Sequence, residues 1–154
     1  AMGDTINVAA GTYVLSSTVN VNVASLTIKG NNSATTIFQV AQAVGYAFNV
    51  SAAGVTLKDF QLQKTDVTGV HNLILVGANN FTLENSYIYG PDPGTPWSIN
   101  GIVSRALEVA GGLSGLLIQN NVIQHLRQPG YINPGTVGQV LNTNVGGTRG
   151  WVVD

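Results

Sequence analysis

Glycoside hydrolysis needs two carboxyl groups at one spot, one to protonate the leaving oxygen and one to act as base or nucleophile. The acidic residues available are Asp4, Asp59, Asp66, Glu84, Asp92, Glu108 and Asp154. None of them forms a paired-Asp motif on an outward strand face. Elimination at a uronate instead needs a Lys or Arg base and a group that neutralises the sugar carboxylate, often Ca²⁺ held by acidic side chains or Asn. Lys58 and Glu84, with Arg105, Arg127 and Arg149, are of the right types. The plainer reading of these is a solvated salt bridge and scattered surface cations. His71 and His125 are the only histidines, each read as a loop or surface residue. With no Cys and no H-E-x-x-H spacing they make no zinc site. No catalytic residue, metal or cofactor is therefore expected, and Ca²⁺ enters only with the elimination chemistry.

Aromatic residues give a better hint of a ligand, because the apolar face of a Tyr or Trp can stack on a sugar ring. Tyr87 and Tyr89 alternate onto one face, and Trp97 lies in the loop Pro91-Asp92-Pro93-Gly94-Thr95-Pro96-Trp97. The competing reading folds Trp97 back to cover the side of the molecule. Tyr87, Tyr89, Trp97 and Arg127 are the candidate contacts to carbohydrate.

Several function classes fall to composition. Of 154 residues, 8% are charged, with a net charge of −1, so there is no basic face to displace phosphate counterions and no nucleic-acid partner is expected. No apolar run reaches ~18 residues, so membrane insertion is not expected either. Twenty Val against 16 Asn, 14 Thr and 19 Gly combine strand formers with turn formers that tolerate positive φ. The stretch around Ala106 to Val109 is too short for a stable helix and runs into Gly111-Gly112. The chain reads as all-β with many short strands.

A repeat organises those strands. Segments beginning at Leu26, Val55, Phe81 and Leu116 share the pattern apolar, x, apolar, x, turn former, and the last three add a further apolar residue at Leu62, Ile88 and Ile123. Period-two alternation marks a strand with one buried face. A Gly, Asp or Asn in fifth place (Gly30, Asp59, Asn85, Asn120) marks a sharp bend. Further strands are expected at Thr5 to Val8, Thr12 to Val14, Thr18 to Val23, Thr36 to Val40, Ala47 to Val50, Asn72 to Val76, Gly101 to Val103 and Leu107 to Val109. His125 to Gly130 reads as a loop. Units of ~20–30 residues with two or three strands each are solenoid coils. Leu26, Ile28, Val55, Leu57, Phe81, Leu83, Leu116 and Ile118 should then stack inside, and the bend residues should stack as an amide ladder.

The opening Gly3-Asp4-Thr5-Ile6-Asn7-Val8-Ala9-Ala10-Gly11-Thr12-Tyr13, followed by Leu26-Thr27-Ile28-Lys29-Gly30 and Thr36-Ile37-Phe38, resembles the first two coils of pectate-lyase-like right-handed parallel β-helix proteins. Asn85 and Asn120 fall where that superfamily carries a stacked Asn; Asp59 departs from it. The resemblance covers Asp4 to about Gln124. It implies a right-handed parallel β-helix of about five coils, forming one domain over residues 4–154, with Ala1-Met2-Gly3 read as a cloning scar. The scaffold serves lyases, hydrolases, tailspikes and adhesins alike. The expected function is an extracellular or cell-surface structural or adhesive module that contacts carbohydrate. The alternative is the N-terminal part of a polysaccharide lyase acting on uronate-containing glycans. The chain enters its first strand at once and ends on Gly150-Trp151-Val152-Val153-Asp154 in mid-pattern. That reads as a segment of a longer chain whose open ends favour end-to-end self-association.

Overall fold

Alternating apolar residues build three strands per coil, and successive coils stack in parallel. The computed structural model describes residues 1–40, 44–65, 72–91, 105–146 and 151–153. The first coil holds β1 (Thr5–Val8), β2 (Gly11–Leu15) and β3 (Val19–Val21). The second holds β4 (Thr27–Gly30), β5 (Thr36–Val40) and β6 (Phe48–Val50). The third holds β7 (Thr56–Lys58), β8 (Gln61–Lys64) and β9 (Asn72–Val76), and the fourth β10 (Thr82–Glu84), β11 (Tyr87–Tyr89) and β12 (Arg105–Val109). In the fifth, β13 (Leu117–Gln124) runs through the first bend without a break and is followed by β14 (Gln128–Ile132). β15 (Val140–Gly146) and β16 (Val152–Val153) continue the stack over them. No helix occurs among the described residues.

The result is a parallel β-solenoid with three faces. The first runs β1-β4-β7-β10-β13, the second β2-β5-β8-β11-β13, and the third β3-β6-β9-β12-β14-β16. Because β13 spans the bend, it joins the first two faces into one ten-stranded sheet.

Register places the expected core residues in columns. One column is Ile6–Ile28–Leu57–Leu83–Ile118–Leu141. A second is Tyr13–Phe38–Leu62–Ile88–Ile123–Val145. A third is Val21–Val50–Val76–Val109–Ile132–Val153. From Leu57 to Ile118 the first column is fully dry. Each coil alone would leave these side chains wet; a neighbour above and below removes their apolar surface from water. Phe38, Phe48 and Phe60 fill the interior of the second and third coils, with ring centroids 5.4–5.9 Å apart.

Two lines of left-handed backbone turn the chain between faces. Asp59, Asn85 and Asn120 have φ of 60°, 52° and 54° and make the bend between the first and second faces. Ser25, Gly54, Asn80, Gly115 and Gly138 make the entry bend to the first face, with φ between 57° and 74°. Gly30 serves a different purpose from its expected one. It closes β4, and a Cβ there would lie 2.2 Å from the Asp59 carbonyl oxygen, so bare backbone is needed for close approach.

The amide ladder also lies elsewhere than expected. Asn85 and Asn120 point to solvent. One residue later, Phe60, Ser86 and Asn121 are buried. Asn121 Oδ1 accepts from the Ser86 amide at 2.9 Å, and its Nδ2 donates to the Leu83 carbonyl at 2.8 Å. A left-handed residue rotates its own side chain outward and aims the next one into the core, and Asn121 uses that position to satisfy two buried backbone groups.

The stretch expected as a loop at His125 to Gly130 is a loop only at its start. β14 begins at Gln128 and pairs with β12, without a pair at Pro129. Among the described residues β16 pairs with β14 at Tyr131 and Ile132. β15 was not expected, because its apolar residues Val140, Leu141 and Val145 flank the polar run Asn142-Thr143-Asn144 and do not alternate. The strand expected at Gly101 to Val103 lies outside the described residues.

Candidate functional site

On the second face the residues between the core positions point outward in two adjacent files. One runs Thr12–Ile37–Gln61–Tyr87–Val122–Asn144, the other Val14–Gln39–Gln63–Tyr89–Gln124. Tyr87 and Tyr89 sit two residues apart on β11, so both project to one side. Their ring centroids are 4.9 Å apart with planes inclined by 34°.

Amide side chains tie the phenols to the coils on either side. Gln61 Nε2 donates to the Tyr89 hydroxyl at 2.8 Å, and the Tyr87 hydroxyl donates to Gln124 Oε1 at 2.8 Å. Gln39 Nε2 donates to Gln63 Oε1 at 2.9 Å, extending the ladder by one coil. Burial raises the Tyr89 pKa above its ordinary 10.0, the charge of Tyr87 adds to the rise, and the Gln61 hydrogen bond opposes it. Tyr89 is therefore a neutral hydroxyl throughout the physiological range. From Ile37 to Gln124 these two files carry no charged side chain. The strip offers half-buried rings flanked by amide donors and acceptors, which suits an uncharged, hydroxyl-rich ligand.

The first face is different. Its outward file is Asn7–Lys29–Lys58–Glu84–Gln119–Asn142. Lys58 Nζ lies 2.6 Å from Glu84 Oε1 and 3.9 Å from Asp59 Oδ2. Gln119 Nε2 donates to the other Glu84 oxygen at 3.0 Å. The hydrogen bond from Lys58, followed by that from Gln119, holds the Glu84 carboxyl below its ordinary 4.5. The same bond to Glu84 holds Lys58 above 10.5. Both partners are locked as ions, so Lys58 is a poor proton acceptor at neutral pH.

The structure brings Tyr87 and Tyr89 together and leaves Arg127 apart from them. Arg127 follows the His125 bend (φ 55°) and precedes β14, round the corner from the strip, and its buried Nε has no hydrogen-bond partner. Arg105 lies on the third face, its guanidinium 5.2 Å from the centre of the Tyr131 ring, and Asn72 donates to Glu108 nearby. Trp97, His71, Asp66, Asp92, Arg149 and Asp154 lie outside the described residues. Among the described residues no three His, Asp or Glu side chains gather as a metal site.

Sequence reasoning missed the glutamines that frame the tyrosines. The signal was present: Gln39, Gln61, Gln63 and Gln124 each occupy an x position of an alternating strand. It also missed Lys64, which the same alternation turns inward and which is 1% exposed, in register with Val40.

Comparison with protein-family models, with curated proteins and with solved structures finds no match to this chain.

Proposed function

We propose that this chain is an extracellular or cell-surface structural module of adhesive type, a right-handed β-helix of the pectate-lyase-like class, whose Tyr87–Tyr89 strip contacts polysaccharide. The strip itself carries this reading: two phenol rings and four glutamines on one uncharged face. Locking the amides and hydroxyls to one another reduces the entropy lost when a sugar hydroxyl joins the network. Superfamily membership rests on the motifs at Gly3 to Tyr13 and at Leu26 to Phe38. Low charge and Asn/Thr-rich coils suit a durable surface element, and neutral rings and amides favour a neutral glycan over a polyanionic one.

The test is a glycan array followed by calorimetric titration of the positive glycans, with Tyr87→Ala, Tyr89→Ala and Trp97→Ala variants. Loss of either tyrosine is expected to weaken binding at least tenfold. Unchanged binding in both tyrosine variants overturns the assignment of the strip.

The second reading, the N-terminal part of a polysaccharide lyase acting on uronate-containing glycans with Ca²⁺, draws on the same motif resemblance. It has to find a base other than Lys58. Ultraviolet absorbance of an unsaturated uronate product, on incubation with such glycans, would establish it and displace the structural reading.

A further inference from the structure

The outer file of the second face is an amide ladder with one step missing. From the second coil to the fifth its members are Gln39, Gln63, Tyr89 and Gln124, all half-buried. The bond from Gln39 Nε2 to Gln63 Oε1, at 2.9 Å, is one complete step. A planar carboxamide has an N–H pointing away from its C=O, so an amide that accepts from the coil before can donate to the coil after. Gln63 accepts in this way, but the next member of the file is Tyr89. The bond from Gln39 is the only hydrogen bond of the Gln63 side chain among the described residues, so its N–H groups are unused beside the rings. The Tyr89 hydroxyl turns diagonally to Gln61 in the neighbouring file and does not take up the step. Beyond the gap, Gln124 Oε1 accepts from the Tyr87 hydroxyl at 2.8 Å and keeps a second lone pair. Gln63 and Gln124 stand two coils apart, about 9.6 Å at the usual strand spacing, so one amide about 4.8 Å from each would complete the ladder.

The geometry points to a glycan bearing acetamido groups as the ligand of this strip, with one acetamido group taking the missing step between Gln63 and Gln124 against the Tyr89 ring. Its carbonyl oxygen accepts from Gln63 Nε2, its N–H donates to Gln124 Oε1, and its methyl group packs on the phenol rings. Donor and acceptor follow the order that the ladder already uses from Gln39 to Gln63. A hydroxyl in the same place is too short to meet both glutamines and offers no methyl to the rings. A charged substituent would lose water against the rings and find no opposite charge in either file from Ile37 to Gln124. Recognition of the acetamido group rests on the polysaccharide reading of the strip and names the substituent that Gln63 selects. Every strand that carries the file has a neighbour on both sides, so further coils at either end of the stack would leave the gap as it is.

Calorimetric titration tests it with matched pairs of neutral oligosaccharides, in gluco and in galacto configuration, whose members differ only in carrying an acetamido group or a hydroxyl at the same carbon. At least one acetamido member is expected to bind at least tenfold more tightly than its hydroxyl partner. Gln63→Met keeps the side-chain length and removes the N–H groups. It is expected to abolish that preference while leaving affinity for the hydroxyl member within twofold. Gln63 points outward from its strand, so the fold survives, which far-UV circular dichroism checks. The side-chain amide protons of Gln63, followed by two-dimensional NMR, should move downfield on addition of the acetamido member and stay in place with the hydroxyl member. Equal affinity for the two members, lost in Tyr87→Ala and Tyr89→Ala, overturns the acetamido assignment and leaves the strip a polysaccharide site. A preference that survives Gln63→Met, or Gln63 protons that ignore the acetamido member, overturns it too. Binding of neither member overturns both the assignment and the polysaccharide reading.

Discussion

Replacing Asn121 by Ala tests where the interior polar ladder lies. The Asn121 side chain is buried and satisfies two buried backbone groups, the Ser86 N–H at 2.9 Å and the Leu83 carbonyl at 2.8 Å. Ala can reach neither. Leaving a buried donor or acceptor unpaired costs about 1–3 kcal/mol each, so Asn121→Ala is expected to lose about 2–6 kcal/mol. The neighbouring Asn120 is exposed and left-handed at φ 54°. Asn120→Ala loses only the tolerance of Asn for that backbone, about 1 kcal/mol, and Asn120→Gly loses less. Equilibrium urea unfolding measures all three. Native-state amide exchange adds a local readout, in which the Ser86 N–H should exchange at least tenfold faster in Asn121→Ala and no faster in Asn120→Gly. If Asn120→Ala costs as much as Asn121→Ala, the ladder sits at the bend residue and the reasoning fails.

Gly30→Ala should destabilise by about 1–3 kcal/mol, because the new Cβ would lie 2.2 Å from the Asp59 carbonyl oxygen and backbone must move. Gly45→Ala, whose new Cβ has no atom of the described residues within 4 Å, should change stability by no more than about 0.5 kcal/mol in the same unfolding assay. The Lys58–Glu84 pair makes stability depend on pH at both extremes. The folded Glu84 pKa is depressed, so its contribution is full above the ordinary 4.5 and is lost as pH falls through the lower folded value. Lys58 is raised, so its contribution is full below 10.5 and is lost as pH rises through the higher folded value. Each limb is worth at most about 1 kcal/mol at this partly exposed site. Glu84→Gln should flatten both limbs in a pH series of unfolding midpoints; limbs that persist would place the dependence elsewhere.

Much of the fold was legible because a solenoid repeats one local rule. Alternation at Val55–Leu57, Phe81–Leu83 and Leu116–Ile118 marked the inward residues, and their recurrence marked the coil. The strands Thr5–Val8, Thr36–Val40 and Asn72–Val76 were legible to the residue for the same reason. β14 was not, because Pro129 and Gly130 are strand breakers in isolation, and only pairing with β12 on either side of Pro129 makes the strand. The tyrosine pair was legible from its i, i+2 spacing. Its glutamine frame was not, since Gln61 meets Tyr89 and Gln124 meets Tyr87 across coils, diagonally and at sequence separations of 28 and 37 residues.

The amino-acid sequence determined an all-β chain, the inward side chains of its repeated segments and the bends at Asp59, Asn85 and Asn120. These are local properties of alternation, turn chemistry and composition. Tertiary structure alone decided that Asn121 rather than Asn120 feeds the buried ladder and that Gly30 yields space to Asp59. Each depends on the vertical register between coils. A shift of one residue in that register would turn every one of these side chains to the opposite face.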